Sequence, residues 1–230
     1  MTVAVARPEG AGPFPGVVAL HGHGGTHMTP FDPEKGQYKL FGEALARAGF
    51  VVVAPNVGQH EVYEPGRTLM GERLWDCMRC VDYLAALPGV DPRRIGCAGL
   101  SLGGEMAMWL GAMDTRVAAT VSSGFLTRMD QMEENHCLCW KFEGLREAAD
   151  FADVYALIAP RALMCQNGRA EPPSQFPPDL AAEAMAEVRA IYEDLGAADR
   201  AVLHVHDGGH EIDLPPLLRF LEDALRPPQP

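Results

Sequence analysis

The pentapeptide Gly99-Leu100-Ser101-Leu102-Gly103 sets a serine between two glycines. It follows a short apolar run at 94–99 and precedes a helix-like segment at 102–113, the context a nucleophilic serine requires. A hydrolase must push its serine out of a sheet on a tight, strained turn. A Cβ at either flanking glycine would collide with the neighbouring strand or helix. At a helix N-terminus, backbone N–H groups and the helix dipole favour the negative charge that develops during attack. Acyl transfer through Ser101 is the chemistry implied; a serine that merely caps a helix is the plainer alternative.

Such chemistry also needs donors for an oxyanion and a base with its own acid. His21-Gly22-His23-Gly24-Gly25 follows the first strong apolar run, 16–21. Its glycines let the main chain bend so that an N–H points at a substrate carbonyl oxygen, and the expected donors are the backbone N–H groups of Leu102 and His23. His204, His206 and His210 cluster around the last apolar run. His210 stands in Asp207-Gly208-Gly209-His210-Glu211, a glycine turn just past the strand, where a side chain can swing toward Ser101, whereas His206 is still on the strand. Chain order of nucleophile, acid and histidine also favours His210 as base. The acid is expected on the loop after the run 162–166, where Glu171 is the only carboxylate before Asp179. It would orient the imidazole and stabilise the imidazolium.

Positioning these residues is the task of the remaining sequence. Apolar runs at 16–21, 50–54, 94–99, 117–122, 162–166 and 201–206 lack polar/apolar alternation, as strands covered on both faces do. Helix-like segments lie between them near 36–48, 67–87, 102–113, 178–195 and 214–225. That order predicts an α/β-hydrolase-like α/β fold, a mostly parallel sheet with helices on both faces, in one domain over 1–230. Pro172-Pro173 and Pro177-Pro178 mark a loop, and Pro227-Pro228 a frayed tail. Residues 124–150 form the one long excursion between strands and are expected to cover the site. Within it Glu134, Asn135 and His136 either line a substrate pocket or hold the loop together.

Hydrophobic residues make up 47% of the chain and charged residues 22%, the balance of a globular protein. The formal charge of −12 argues against nucleic acid or an anionic membrane as partner. No run approaches the roughly 18 apolar residues of a membrane span, and the N-terminus lacks a basic region followed by an apolar one. A cytoplasmic location with reduced cysteines is therefore expected. Cys77-Met78-Arg79-Cys80 and Cys137-Leu138-Cys139 invite a four-cysteine zinc reading, but the first pair shares one face of a helix and reads as core packing. His21, His23 and His27 invite another metal reading, in which no carboxylate or cysteine completes a familiar spacing. No metal or cofactor is expected.

Five segments together carry a resemblance: WDCMRCVDYL at 75–84, VDPRRIGCAGLSLGG at 90–104, ENHCLCW at 134–140, DVYALIAPRALMCQNG at 153–168 and DGGHEI at 207–212. The chain resembles the dienelactone-hydrolase-related esterases of the α/β-hydrolase superfamily, in a branch similar to the acetyl xylan esterases. The resemblance implies a carboxylic ester hydrolase, with Ser101 and His210 on matching motifs. Two features depart from the pattern: Glu171-Pro172 stands where the family generally has Asp-Pro, and the part before the His-Gly loop is short beside that of longer members. Serine also stands where dienelactone hydrolases proper carry cysteine. The expected substrate is a small or short-chain acyl ester, acetylated sugars included. A thioesterase, lactonase or peptidase would use the same apparatus. A hydrolase-fold binding protein without turnover, or a metallohydrolase built on His204, His206 and His210, are readings of a different class.

Overall fold

The structure of the chain is a computed structural model that describes residues 1–226, so the tail expected at Pro227-Pro228 lies outside the described residues. The apolar runs form one seven-stranded sheet: β1 (Val3–Ala6), β2 (Phe14–Leu20), β3 (Val51–Pro55), β4 (Val90–Leu100), β5 (Val117–Ser123), β6 (Ala162–Gly168) and β7 (Ala201–His206). Their order across the sheet is β1-β3-β2-β4-β5-β6-β7. β1 runs antiparallel to β3, and the other neighbouring pairs are parallel. This is the α/β-hydrolase architecture expected from the sequence.

Both faces of the sheet are covered, which is why the central strands show no alternation in sequence. Val18 and Leu20 of β2, Val51 and Val53 of β3, and Ile95 and Cys97 of β4 belong to one apolar core. Val17 and Ala19, Val52 and Ala54, and Ala98 and Leu100 belong to the other. The first core is capped by α2 (Leu69–Ala86), α3 (Leu102–Met113), α6 (Phe151–Ala156) and α7 (Pro178–Asp194). The second is capped by α1 (Phe41–Arg47) and α8 (Leu214–Ala224). α2 starts where Thr68 accepts a hydrogen bond from the Gly71 N–H (3.0 Å), a side-chain cap on an otherwise orphaned donor.

Two parts of the chain differ from the sequence reading. β1 is an extra edge strand whose Val3 and Val5 are exposed, so it carries the alternation the central strands lack. The excursion at 124–150 holds short elements for which no segment was expected: α4 (Met129–Asn135), a 3₁₀ turn at Leu138–Trp140 and α5 (Leu145–Ala148). Met129, Met132, Trp140 and Leu145 sink into the core and hold it down. Asp150 joins its two ends, accepting from the N–H of Met129 (3.1 Å) and of Phe151 (2.6 Å). Among the described residues, no helix is long and apolar enough to cross a membrane.

Candidate active site

Strand order reverses direction between β2 and β4, and a crevice forms outside the C-terminal ends of parallel strands at such a point. Gly22 follows β2 and Ser101 follows β4 at that crevice. Ser101 sits at φ 61°, ψ −122°, a left-handed value that a serine holds only when its surroundings enforce it. Enforcement is visible on both sides. The Ser101 N–H donates to Ser123 O at the end of β5 (2.9 Å), and Ser101 O accepts from the Glu105 N–H (2.9 Å) in the first turn of α3. A Cβ on Gly99 would lie 2.3 Å from Gly103 O, and one on Gly103 would lie 2.1 Å from Leu20 O. Both glycines are therefore required by close packing, as expected.

The His21–Gly25 loop lies against this turn, since a Cβ on Gly22 would fall 3.1 Å from that of Ser101. Two contacts fix the loop. The Gly22 N–H donates to the Tyr38 hydroxyl (2.8 Å), and the fully buried His21 ties the loop to the end of β3. His21 Nε2 accepts from the Val57 N–H (3.0 Å), which leaves the proton on Nδ1 to donate to Gly22 O (2.8 Å). Burial lowers the His21 pKa and so favours that neutral ring. Partial burial, with His60 and Arg73 nearby, pushes His23 down to about 4, although an edge of this residue stays open to solvent.

His210 and Glu171 meet at the ends of β7 and β6. The pairing of these strands continues past their ends, with the Arg169 N–H donating to His206 O (2.8 Å) and the Ala170 N–H to Gly208 O (3.0 Å). This carries Glu171 to the glycine turn, where Oε2 lies 3.2 Å from His210 Nδ1. The same oxygen accepts from the Phe176 N–H (3.2 Å). Glu171 is buried, with 1% of its side chain exposed, against 26% for His210. The Phe176 ring stacks on the imidazole at 5.4 Å. Gly124, with φ +56°, leaves the other side clear; a Cβ there would lie 2.8 Å from His210 Cε1. Ser101 follows β4 and His210 follows β7, and Gly124, just past β5, lies between these strand ends with the imidazole against it.

The alternative histidines are engaged elsewhere. His204 pairs with Asp213 (2.7 Å), and His206 accepts from the Gly208 N–H (3.2 Å). Neither joins a metal-like cluster with His210, nor do His21, His23 and His27 form one. Among the described residues, His23, His60, Cys137 and Cys139 are the one group whose ligand atoms lie within 4.8 Å of each other. Cys77 and Cys80 are buried in the core and do not share a ligand cluster with Cys137 and Cys139.

A small pocket opens at Ser101, bordered by Leu102, His23, His136, Phe125, Trp140 and Phe176. The covering segment supplies His136 and Trp140. Glu134 and Asn135 do not line this pocket: they are exposed on α4, which turns Met129 and Met132 inward instead. Glu105 was not foreseen from sequence. It is buried at the pocket floor, its Oε1 has no partner, and burial pushes its carboxyl up to about 8. The fully buried Arg73 lies near enough to oppose that shift, and it donates through Nε to Gln59 O (3.1 Å). An acid four residues after a nucleophile carries no burial signal of its own in sequence. A larger cleft over Asn56–Glu64 and α2 is polar and does not reach Ser101.

The chain aligns at 25% identity over 219 residues with YtaP of Bacillus subtilis, covering 82% of this chain and 70% of that one. It is 30% identical over 171 residues to 2,6-dihydropseudooxynicotine hydrolase of Paenarthrobacter nicotinovorans, covering 72% of this chain and 44% of that enzyme. In structure it is similar to a glucuronoyl esterase from Solibacter usitatus, with a TM-score of 0.76, 20% identity, and coverage of 98% of this chain and 77% of that one. The model of the dienelactone hydrolase family matches residues 1–131, more than half the chain and inclusive of Ser101. With its α/β-hydrolase sheet and a strained serine at the reversal point, the chain belongs to the dienelactone hydrolase family.

Proposed function

We propose that the protein hydrolyses small or short-chain acyl esters through an acyl-enzyme on Ser101. His210 takes the Ser101 proton as the hydroxyl attacks the ester carbonyl, and returns it to the departing alcohol. Glu171 holds the imidazole by Nδ1 and stabilises its charged form. The N–H groups of Leu102 and His23 receive the oxyanion. Water, deprotonated by His210, then releases the acid and restores the serine. The observations that carry this reading are a buried Glu171 carboxylate hydrogen-bonded to a half-buried histidine and a serine held at φ 61° on the turn after β4. The small size of the pocket and its apolar walls of Phe125, Trp140 and Phe176 support a short acyl group, acetate included. Glucuronoyl esterases and a pseudooxynicotine hydrolase among similar proteins support a hydrolase without fixing the ester.

Release of p-nitrophenol from its acetate ester tests the proposal. Wild-type turnover should fall by ~10³-fold or more in Ser101→Ala. Glu171→Gln, which keeps the shape but loses the charge, should cost ~10²–10⁴-fold in kcat. Turnover that survives in Ser101→Ala overturns the mechanism. A wild type that binds the ester without turnover would instead be a binding protein.

A further inference from the structure

The loop residues His23 and His60 and the covering-segment residues Cys137 and Cys139 come from three separate parts of the chain: after β2, after β3, and around the 3₁₀ turn that follows α4. Their four ligand atoms lie within 4.8 Å of one another. His23 Nε2 is 3.1 Å from Cys139 Sγ, and the two imidazole centroids are 5.2 Å apart. A tetrahedral zinc site with Zn–S of about 2.3 Å and Zn–N of about 2.0–2.1 Å spaces its ligand atoms by roughly 3.3–3.8 Å. The cluster therefore needs only a small contraction, and three of its four residues are exposed and free to make it.

A second, independent feature points to a ligand. His60 Nδ1 lies 3.0 Å from Gly58 O, a contact in which the ring nitrogen must donate. That hydrogen bond places the proton on Nδ1 and leaves the Nε2 lone pair free, which is how metal-binding histidines are oriented by a neighbouring carbonyl.

We infer that His23, His60, Cys137 and Cys139 form a Cys₂His₂ site for a zinc ion at the rim of the Ser101 pocket. Two thiols and two imidazoles in tetrahedral disposition select zinc over the hard cations, which prefer oxygen. On binding, each thiol gives up its proton to solvent while the imidazoles stay neutral, so Zn²⁺ and two thiolates make a site without net charge. His23, Cys137 and Cys139 also line the Ser101 pocket. The ion would thereby fasten the covering segment to the His21–Gly25 loop and set the width of the pocket mouth. The sequence offered Cys137 and Cys139 with Cys77 and Cys80, and His23 with His21 and His27; neither set meets in space, and His60 was in neither.

The test is metal binding, whatever the enzyme's activity. Protein stripped with a chelator is titrated with Co²⁺ and, by competition with a chromophoric chelator, with Zn²⁺. Wild type should take up one equivalent, with the intense visible absorption of tetrahedral cobalt and a near-ultraviolet thiolate-to-cobalt band. Cys137→Ser/Cys139→Ser should lose the thiolate band, and His60→Ala should bind zinc at least ~10-fold more weakly. His27→Ala, outside the set, should bind as wild type does. All variants are checked by circular dichroism, and His60→Ala, altered at an exposed position, serves if the double variant fails to fold. Absence of stoichiometric uptake by wild type, or uptake unchanged in the Cys137/Cys139 and His60 variants, overturns the site.

Discussion

Glu105 sits one helical turn beyond the proposed nucleophile, with no charged group bonded to it and one carboxyl oxygen without a partner. Burial pushes its pKa from an ordinary 4.5 to about 8, so at neutral pH it is a neutral acid that does not compete with the charge developing at Ser101. This has a consequence for stability. Between pH 4.5 and about 8 the native state keeps a proton that the unfolded chain has lost, so stability falls as pH rises through that window. Glu105→Gln removes the titration while keeping the shape. Its melting temperature should gain on wild type between pH 5 and pH 8, by the equivalent of up to a few kcal/mol. A gap between the two proteins that is constant with pH would mean the carboxyl finds a partner. Glu105 was invisible in sequence because nothing in a residue's type reveals that it is buried. The pairing of His210 with Glu171 was easier to anticipate: a Gly-Gly turn after the last strand and a single carboxylate on the preceding loop leave few choices. The longer glutamate reaches the imidazole from a loop still paired to the next strand, at 3.2 Å.

Elements hold these side chains through backbone contacts that tolerate no added atom. The start of α3 packs so closely on β2 that a Cβ at Gly103 would lie 2.1 Å from Leu20 O, and both partners are backbone. No side chain can swing away to relieve the clash. Gly103→Ala should therefore destabilise the fold by about 3 kcal/mol or more, measured by chemical denaturation. Gly36→Ala, where a Cβ would meet nothing within 4 Å, should stay within about 0.5 kcal/mol of wild type. Equal effects would show that the α3–β2 approach is not rigid. The central strands were readable because burial on both faces demands unbroken apolar runs; β7 lies at Ala201–His206, the range expected. β1 escaped because an edge strand of four residues with two exposed valines carries too little pattern. The helices of the covering segment escaped because α4 and α5 are seven and four residues long. Their inward residues, such as Met132 and Trp140, are recruited by tertiary packing rather than by a repeating stripe.

At the scale of the whole molecule, a charge of −12 surrounds the Ser101 pocket. A chain of this length has a radius of gyration of roughly 17 Å. The Debye length is about 30 Å at 0.01 M salt and about 8 Å at 0.15 M. At low salt, then, the summed field extends past the molecule and repels an anionic ester during approach, while a neutral ester does not feel it. The proposed activity makes this measurable as the ratio of kcat/KM for p-nitrophenyl butyrate to that for mono-p-nitrophenyl succinate, acyl groups of equal chain length. The ratio should fall several-fold as ionic strength rises from about 0.01 M to about 0.5 M, because screening removes a penalty paid only by the anion. Arg73, close enough to Glu105 to oppose its pKa rise, is a competing influence near the pocket, and it is buried where salt screens little. A ratio that favours succinate at every salt concentration would place control of selectivity with Arg73. A ratio that moves with salt places it with the surface, and the site would then select neutral short-chain esters by the charge of the entire chain.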